Sequence, residues 1–135
     1  MAVELTQEVS DKLKSDEYGW LTTVAESGQP VPRLVWFYFG GADLTVYSTP
    51  QGPQIAHITE RPHVSMNLDS DGHGYGIVVT GVAKVDATDV DCREDGPYWA
   101  KYSDAAARFG LTEAMASHST RLKIIPKNVW TTPTG

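Results

Sequence analysis

The sequence holds a single cysteine, Cys92, which excludes an internal disulfide framework and a cysteine-rich zinc site. It is short of positive charge: 11 Lys and Arg stand against 17 Asp and Glu, a net of -6. A broad nucleic-acid surface, whose affinity comes from neutralising phosphates, is not expected from that balance. The longest aromatic and aliphatic run, Leu34 to Phe39, is six residues, far from the ~20 that span a bilayer. The first residues lack a basic segment leading into an apolar one, so no secretory signal is expected and the cytoplasm is the expected compartment. Internal repeats, a nucleophile elbow, a Ser-His-Asp order and a phosphate-cradling glycine loop are also missing, which leaves hydrolysis and nucleotide transfer without support. His63, His73 and His118 are scattered without metal-motif spacing, and no metal is expected.

What is present is enough for one domain over residues 1–135. Its apolar fraction, 41%, suits a core without staples. Thr6 is placed to cap a short helix running to about Ser15, with Val9 and Leu13 on one face. Tyr18 to Ala25 reads as a strand, then a turn at Glu26 to Gln29, then a second strand from Val31 to Phe39. Prolines 30 and 32 give that strand an edge-like start. Gly40 to Asp43 closes a hairpin onto Leu44 to Ser48. Pro53 opens a short helix over Gln54 to Arg61. His63 to Asp69 alternates as a strand, Asp69 to Gly74 is a turn, and Tyr75 to Val85 is the longest strand, with Gly76 and Gly81 marking bulges or close backbone approach. Ala87 to Ser117 reads as helical, with a C-cap at Gly110, and Thr120 to Thr132 as a strand interrupted at Pro126. Six strand candidates with short helices between them predict a mainly β fold, a closed six-stranded antiparallel barrel, with an open sandwich as the alternative.

The order of four passages resembles the split β-barrel flavin- and deazaflavin-binding proteins related to pyridoxamine-phosphate oxidase, and among them the group that uses coenzyme F420. Leu21-Thr22-Thr23 through Gly28-Gln29-Pro30 is similar to that family's opening hairpin. Pro32 through Val35-Trp36-Phe37 is similar to its "P-V-W-F" strand. Val46-Tyr47-Ser48-Thr49, Ile55 to Ile58 and Arg61 to Ser65 resemble its central segment, and Val78 to Ala83 its "V-x-G-x-A" strand. The resemblance implies an FMN-binding split barrel that works as a homodimer, with two cofactor sites at the subunit interface. It implies a ring lying against Pro32, Arg33, Val35 and Trp36, and a phosphate near Ser48, Thr49, Pro50, Gln51, Gln54, Ile55 and His57. The implied activity is hydride transfer between F420 and a small unsaturated or quinone-like molecule, with no catalytic residue singled out. FMN-dependent chemistry on the same fold, or a carrier that holds a cofactor or haem without turnover, are the alternatives. One departure stands out. The family usually has cations at the positions of Gln54 and Ala56, and here Ala42 to Glu60 contains no Lys or Arg. A lysine at Gln54 would, on that resemblance, strengthen the hold on a phosphate.

Several side chains keep two readings. Trp36 either meets a flavin-type ring or packs in a core or interface. Ser48 and Thr49 either donate to a phosphate or merely turn the chain. His57 either serves the ligand or is structural, and for a haem it would be the ligand, beside Trp36 and Tyr47. Tyr98, Trp99 and Tyr102 either line a pocket or form the buried side of a helix. The acidic stretch Asp86 to Asp95 is either a solvated helix end or a gate against anions. Cys92, among carboxylates, reads as structural.

Overall fold

The computed structural model describes residues 4–70, 72 and 74–132. His73 therefore lies outside the described residues, as does part of the turn expected at 69–74. Helix α1 (Gln7–Ser15) starts as its sequence requires, with Thr6 Oγ1 accepting from the Val9 N–H at 3.2 Å. Its Val9 and Leu13 enter the core. Strands β1 (Tyr18–Val24) and β2 (Pro30–Trp36) form the first hairpin, closed by Gly28 at φ +91°. Then come β3 (Tyr38–Phe39), β4 (Leu44–Ser48), α2 (Pro53–Glu60), β5 (His63–Leu68), β6 (Gly76–Ala87), α3 (Gly96–Arg108) and β7 (Thr120–Thr132).

The fold is mainly β and antiparallel, but among the described residues the count is seven strands, not six. The order across the single sheet is β2-β1-β5-β6-β7-β4-β3. The predicted strand from 31 to 39 breaks at Phe37, which supplies both new edges. Phe37 is fully buried, and its backbone is claimed by α3 rather than by a neighbouring strand. Its N–H donates to Tyr102 Oη at 2.8 Å and its carbonyl accepts from Lys101 Nζ at 2.9 Å. The edge strands β2 and β3 are thus one residue apart in the chain, so the sheet has to curl until its ends meet. The hydrogen-bond ladder stays open at that seam, where β2 comes up against β4. The expectation of a fully closed ladder is corrected accordingly.

Two apolar clusters result. Leu21, Phe37, Leu44, Val46, Met66, Val79, Leu122 and their neighbours fill the curled sheet. Tyr47, Cys92, Tyr98, Tyr102, Ala106 and Met115 fill the space between β4 and α3. All five residues of β4 are buried because it has a core on each side. The long helix expected over 87–117 shrinks to α3 between two short 3-10 turns, at Cys92–Glu94 and Ala114–Ser117. The acidic stretch supplies the caps that divide it: Asp91 accepts from the Arg93 N–H, and Asp95 caps α3 ahead of Pro97. Gly110, at φ +69°, follows the last turn. Strand β7 runs through Pro126 without interruption. Gly81 faces that proline at a register shift in β6, where a Cβ would lie 2.1 Å from the Ile125 carbonyl oxygen.

Candidate functional site

The open seam between β2 and β4 is the floor of a cleft of about 580 Å³, inside the range of roughly 300–1,000 Å³ typical of small-molecule sites. From β2 come Pro32, Arg33, Leu34, Val35 and Trp36; from the end of β4 come Tyr47, Ser48 and Thr49; Gln54 enters from α2. Tyr98 of α3 and the segment with Leu111, Ala114, Met115 and His118 form the opposite wall, and Trp20 stands at the rim.

Alternation along β2 decides who reaches where. Arg33 and Val35 share the inner face of the hairpin with their partners Leu21 and Gly19, while Leu34 projects outward beside Trp20. Trp36 lies flat on Tyr102, with ring centroids 4.7 Å apart and planes 6° apart. A stacked pair of this kind holds the indole in place. Tyr47 meets Tyr98 edge-on at 4.7 Å and donates its hydroxyl proton to Asp95 Oδ2 at 2.6 Å. Burial, then the Asp95 carboxylate, pushes that phenol up to about 12, although Arg121 also hydrogen-bonds to it. Tyr47 therefore stays protonated and is committed to the fold.

Three buried side-chain polar atoms have no hydrogen-bond partner among the described residues: Arg33 Nε, Gln54 Oε1 and His118 Nδ1. All three belong to walls of this cleft. Arg33 is also the one arginine in no ion pair among the described residues. Arg61 pairs with Glu60, Arg93 with Asp91, Arg108 with Glu17 and Arg121 with Asp86. Among the described residues no carboxylate lines the cleft, so its wall charge is opposite in sign to that of the acidic chain.

Of the residues singled out from the sequence, Pro32, Arg33, Val35, Trp36, Ser48, Thr49 and Gln54 line the cleft together. Pro50, Gln51, Ile55 and His57 do not. Pro50 and Gln51 are exposed in the turn, and Ile55 packs on the core. His57 Nδ1 is hydrogen-bonded at 2.8 Å to Thr23 Oγ1 of β1. Tyr98 does both jobs left open for it, since it is core and wall at once, whereas Tyr102 supports Trp36 from below. Cys92 is buried, donates to the Met115 carbonyl at 3.4 Å and has its thiol pushed up to about 11, chiefly by burial. His118, Leu111, Ala114 and Met115 were not anticipated. Leu111, Ala114 and Met115 fall in the last part of the tract read as helical to Ser117, beyond its expected cap at Gly110, and His118 just after it; a 3-10 turn at Ala114–Ser117 lies between Leu111 and His118.

Among solved structures, an F420 reductase superposes with a TM-score of 0.70 at 21% identity, over 93% of this chain and 98% of its own. A FAD-binding protein from Mesorhizobium loti gives 0.71 at 21%, over 97% and 95%. The haem storage protein HutZ from Vibrio cholerae gives 0.64 at 14%, over 95% and 94%. At these identities the likeness is one of fold. No curated protein sequence matches the chain. The family profile described as pyridoxamine 5'-phosphate oxidase matches residues 5–133. That match spans nearly the whole chain, from α1 to β7, and the protein therefore belongs to the pyridoxamine 5'-phosphate oxidase family.

Proposed function

We propose that the cleft binds the deazaflavin F420 and that the protein is an oxidoreductase, passing a hydride between F420 and a small unsaturated or quinone-like substrate. The observation that supports this reading is the set of three partnerless polar atoms on the walls of one cleft. Each buried unpaired polar group costs about 1–3 kcal/mol. A guest with complementary hydrogen-bonding groups removes that cost, so the walls fit a polar-edged ligand better than an empty or purely apolar space. The aromatic side of the cleft suits a flat ring: Trp36 is fixed by Tyr102 beneath it, and Pro32 and Val35 also line the cleft. Arg33 is the residue we assign to the anionic part of the cofactor.

The bound cofactor supplies the hydride chemistry. The chain's own residues do the positioning. Arg33 Nε offers one fixed donor, Trp36 sets the plane of the ring, and Leu111 and Met115 keep bulk water from the wall facing it. Binding is tested by fluorescence anisotropy of F420 titrated with protein. Rising anisotropy with quenching is the expected result, and unchanged anisotropy at tens of micromolar refutes the reading. Flavin absorbance in the purified protein, without F420 binding, would transfer the assignment to FMN.

We further propose that the working form is a homodimer in the cytoplasm. Leu34, Trp20, Asn67, Val78 and Trp130 are consecutive cross-strand partners on one face, a row running across β2, β1, β5, β6 and β7. Leu34 and Trp130 are each 54% exposed. A row that exposes Leu34, Trp20 and Trp130, with Asn67 its one polar member, suits a second copy of the chain. It begins at the rim of the cleft, since Trp20 and Leu34 belong to both, so a docked copy would wall the cleft on its open side. Among the described residues no helix is long and apolar enough to cross a membrane.

A further inference from the structure

We infer that Gln54 selects the guest by accepting a hydrogen bond from a neutral N–H or O–H, and that the start of α2 is closed to phosphate. This deepens the proposal of a flavin-type ring in the cleft and rests on it. Ser48 and Gln54 share too few protons to satisfy every atom of the pair. Ser48 Oγ has one hydrogen and gives it to the Thr49 carbonyl at 3.0 Å. It can therefore only accept from Gln54, whose Nε2 lies 2.6 Å away. In this network the amide stands with its nitrogen toward Ser48, an orientation assigned from the hydrogen bonds around it. The carbonyl oxygen, Oε1, is the end left over, and it is buried without a partner. Gly52 makes room for this folded amide, because a Cβ there would lie 2.8 Å from both of its terminal atoms.

A phosphate brings only acceptors, and an acceptor facing Oε1 is repelled. Several of the donors expected to hold a phosphate here are spent as well. The proton of Ser48 is used, the Gly52 N–H donates to the Thr49 carbonyl, the Ile55 N–H donates to the Gly52 carbonyl, and Pro53 has no N–H. With no Lys or Arg from Ala42 to Glu60, α2 and the turn before it bring no cation of their own to a dianion. A ring imide or lactam supplies the missing donor at no charge. The fused pyrimidinedione edge of flavins and deazaflavins carries such a group.

The test uses riboflavin and FMN, which share a ring and differ by one phosphate. Dissociation constants are measured by fluorescence quenching for the natural protein, Gln54→Glu and Gln54→Lys. The natural protein is expected to bind the two within about threefold. Gln54→Glu, which keeps an acceptor, should hold riboflavin within about threefold of that value, and Gln54→Lys should weaken both by about tenfold or more. Tighter FMN binding by Gln54→Lys, with riboflavin unchanged, overturns the inference. A second measurement needs no variant and no F420. The side-chain amide signal of Gln54 in labelled protein is followed by NMR during addition of lumichrome, a phosphate-free ring with the same imide, or of inorganic pyrophosphate. A shift with lumichrome supports the inference even if F420 fails to bind, in which case only the cofactor assignment falls. A shift with pyrophosphate alone, or with neither, overturns it.

Discussion

Replacing Tyr102 by Phe removes one oxygen from the place where the sheet changes direction. That oxygen accepts the Phe37 N–H at 2.8 Å and donates to the Glu17 carbonyl at 2.6 Å; the Phe37 carbonyl also lies close, but already receives Lys101. The ring, its stack on Trp36 and its packing against Tyr98 are untouched by the change. The cost is therefore almost all polar. The Phe37 N–H is left buried and unpaired, which is worth about 1–3 kcal/mol. Taking the middle of that range, about 2 kcal/mol, the melting temperature of a domain this size should fall by roughly 6 °C. Urea unfolding followed by tryptophan fluorescence gives the free energy directly, and the slope m should not change, because the surface exposed on unfolding is the same. A loss within about 0.5 kcal/mol, the size of an ordinary surface substitution, would show that Phe37 is held by its packing alone. The explanation given for the break between β2 and β3 would then be wrong.

Gly81→Ala forces a Cβ against the Ile125 carbonyl and should cost about 3 kcal/mol or more. Gly96→Ala, with nothing near its Cβ, should be neutral or gain up to about 1 kcal/mol in the same urea assay. Burial pulls the Lys101 ammonium down from 10.5 to about 8, so between those two values the unfolded chain holds the proton while the folded one sheds it, and stability gains from this group as the pH rises through about 8 toward 10.5. The Cys92 thiol, pushed up from 9.0 to about 11, acts in the opposite sense between those values and should level off the rise above about pH 9. Lys101→Met should abolish the rise, as read from urea midpoints across that range. Trp36→Ala should weaken F420 binding by about tenfold, or ~1.4 kcal/mol, in an anisotropy titration. Trp130→Glu should turn a dimer into a folded monomer by sedimentation, and a natural protein that sediments as a monomer would remove the role given to the cross-strand row.

Local chemistry made much of this fold readable in the sequence. Thr6 as a cap, Pro53 at the start of α2 and alternation in β5 each act within a few residues, and each stands where the spacing puts it. Tyr98 and Tyr102, four apart, did go to the buried side of a helix. The failures come where distant groups compete for the same backbone. Residues 31–39 look like one strand because nothing near them shows that Tyr102 and Lys101 will take the amide of Phe37. Pro126 looks like a strand break because its tolerance depends on Gly81, far away in the chain. For the site, the resemblance led to the β2 floor and to Ser48, Thr49 and Gln54. It did not lead to His118, whose place on the cleft wall depends on how the segment after α3 folds back over the seam. Nor did the residue types reveal which end of the Gln54 amide faces inward, since that follows from where the hydroxyl proton of Ser48 goes.

The meeting of both sheet edges at Phe37 has a practical corollary. The outermost rungs of the ladder are neighbours in sequence, so a molecule wedged between β2 and β4 acts as a clasp on the whole sheet rather than on one loop. Its binding energy should appear in global unfolding, at about 2.7 kcal/mol when the ligand is present at a hundred times its dissociation constant. Heat resistance alone, recorded against a panel of redox heterocycles, would then be enough to find the natural guest.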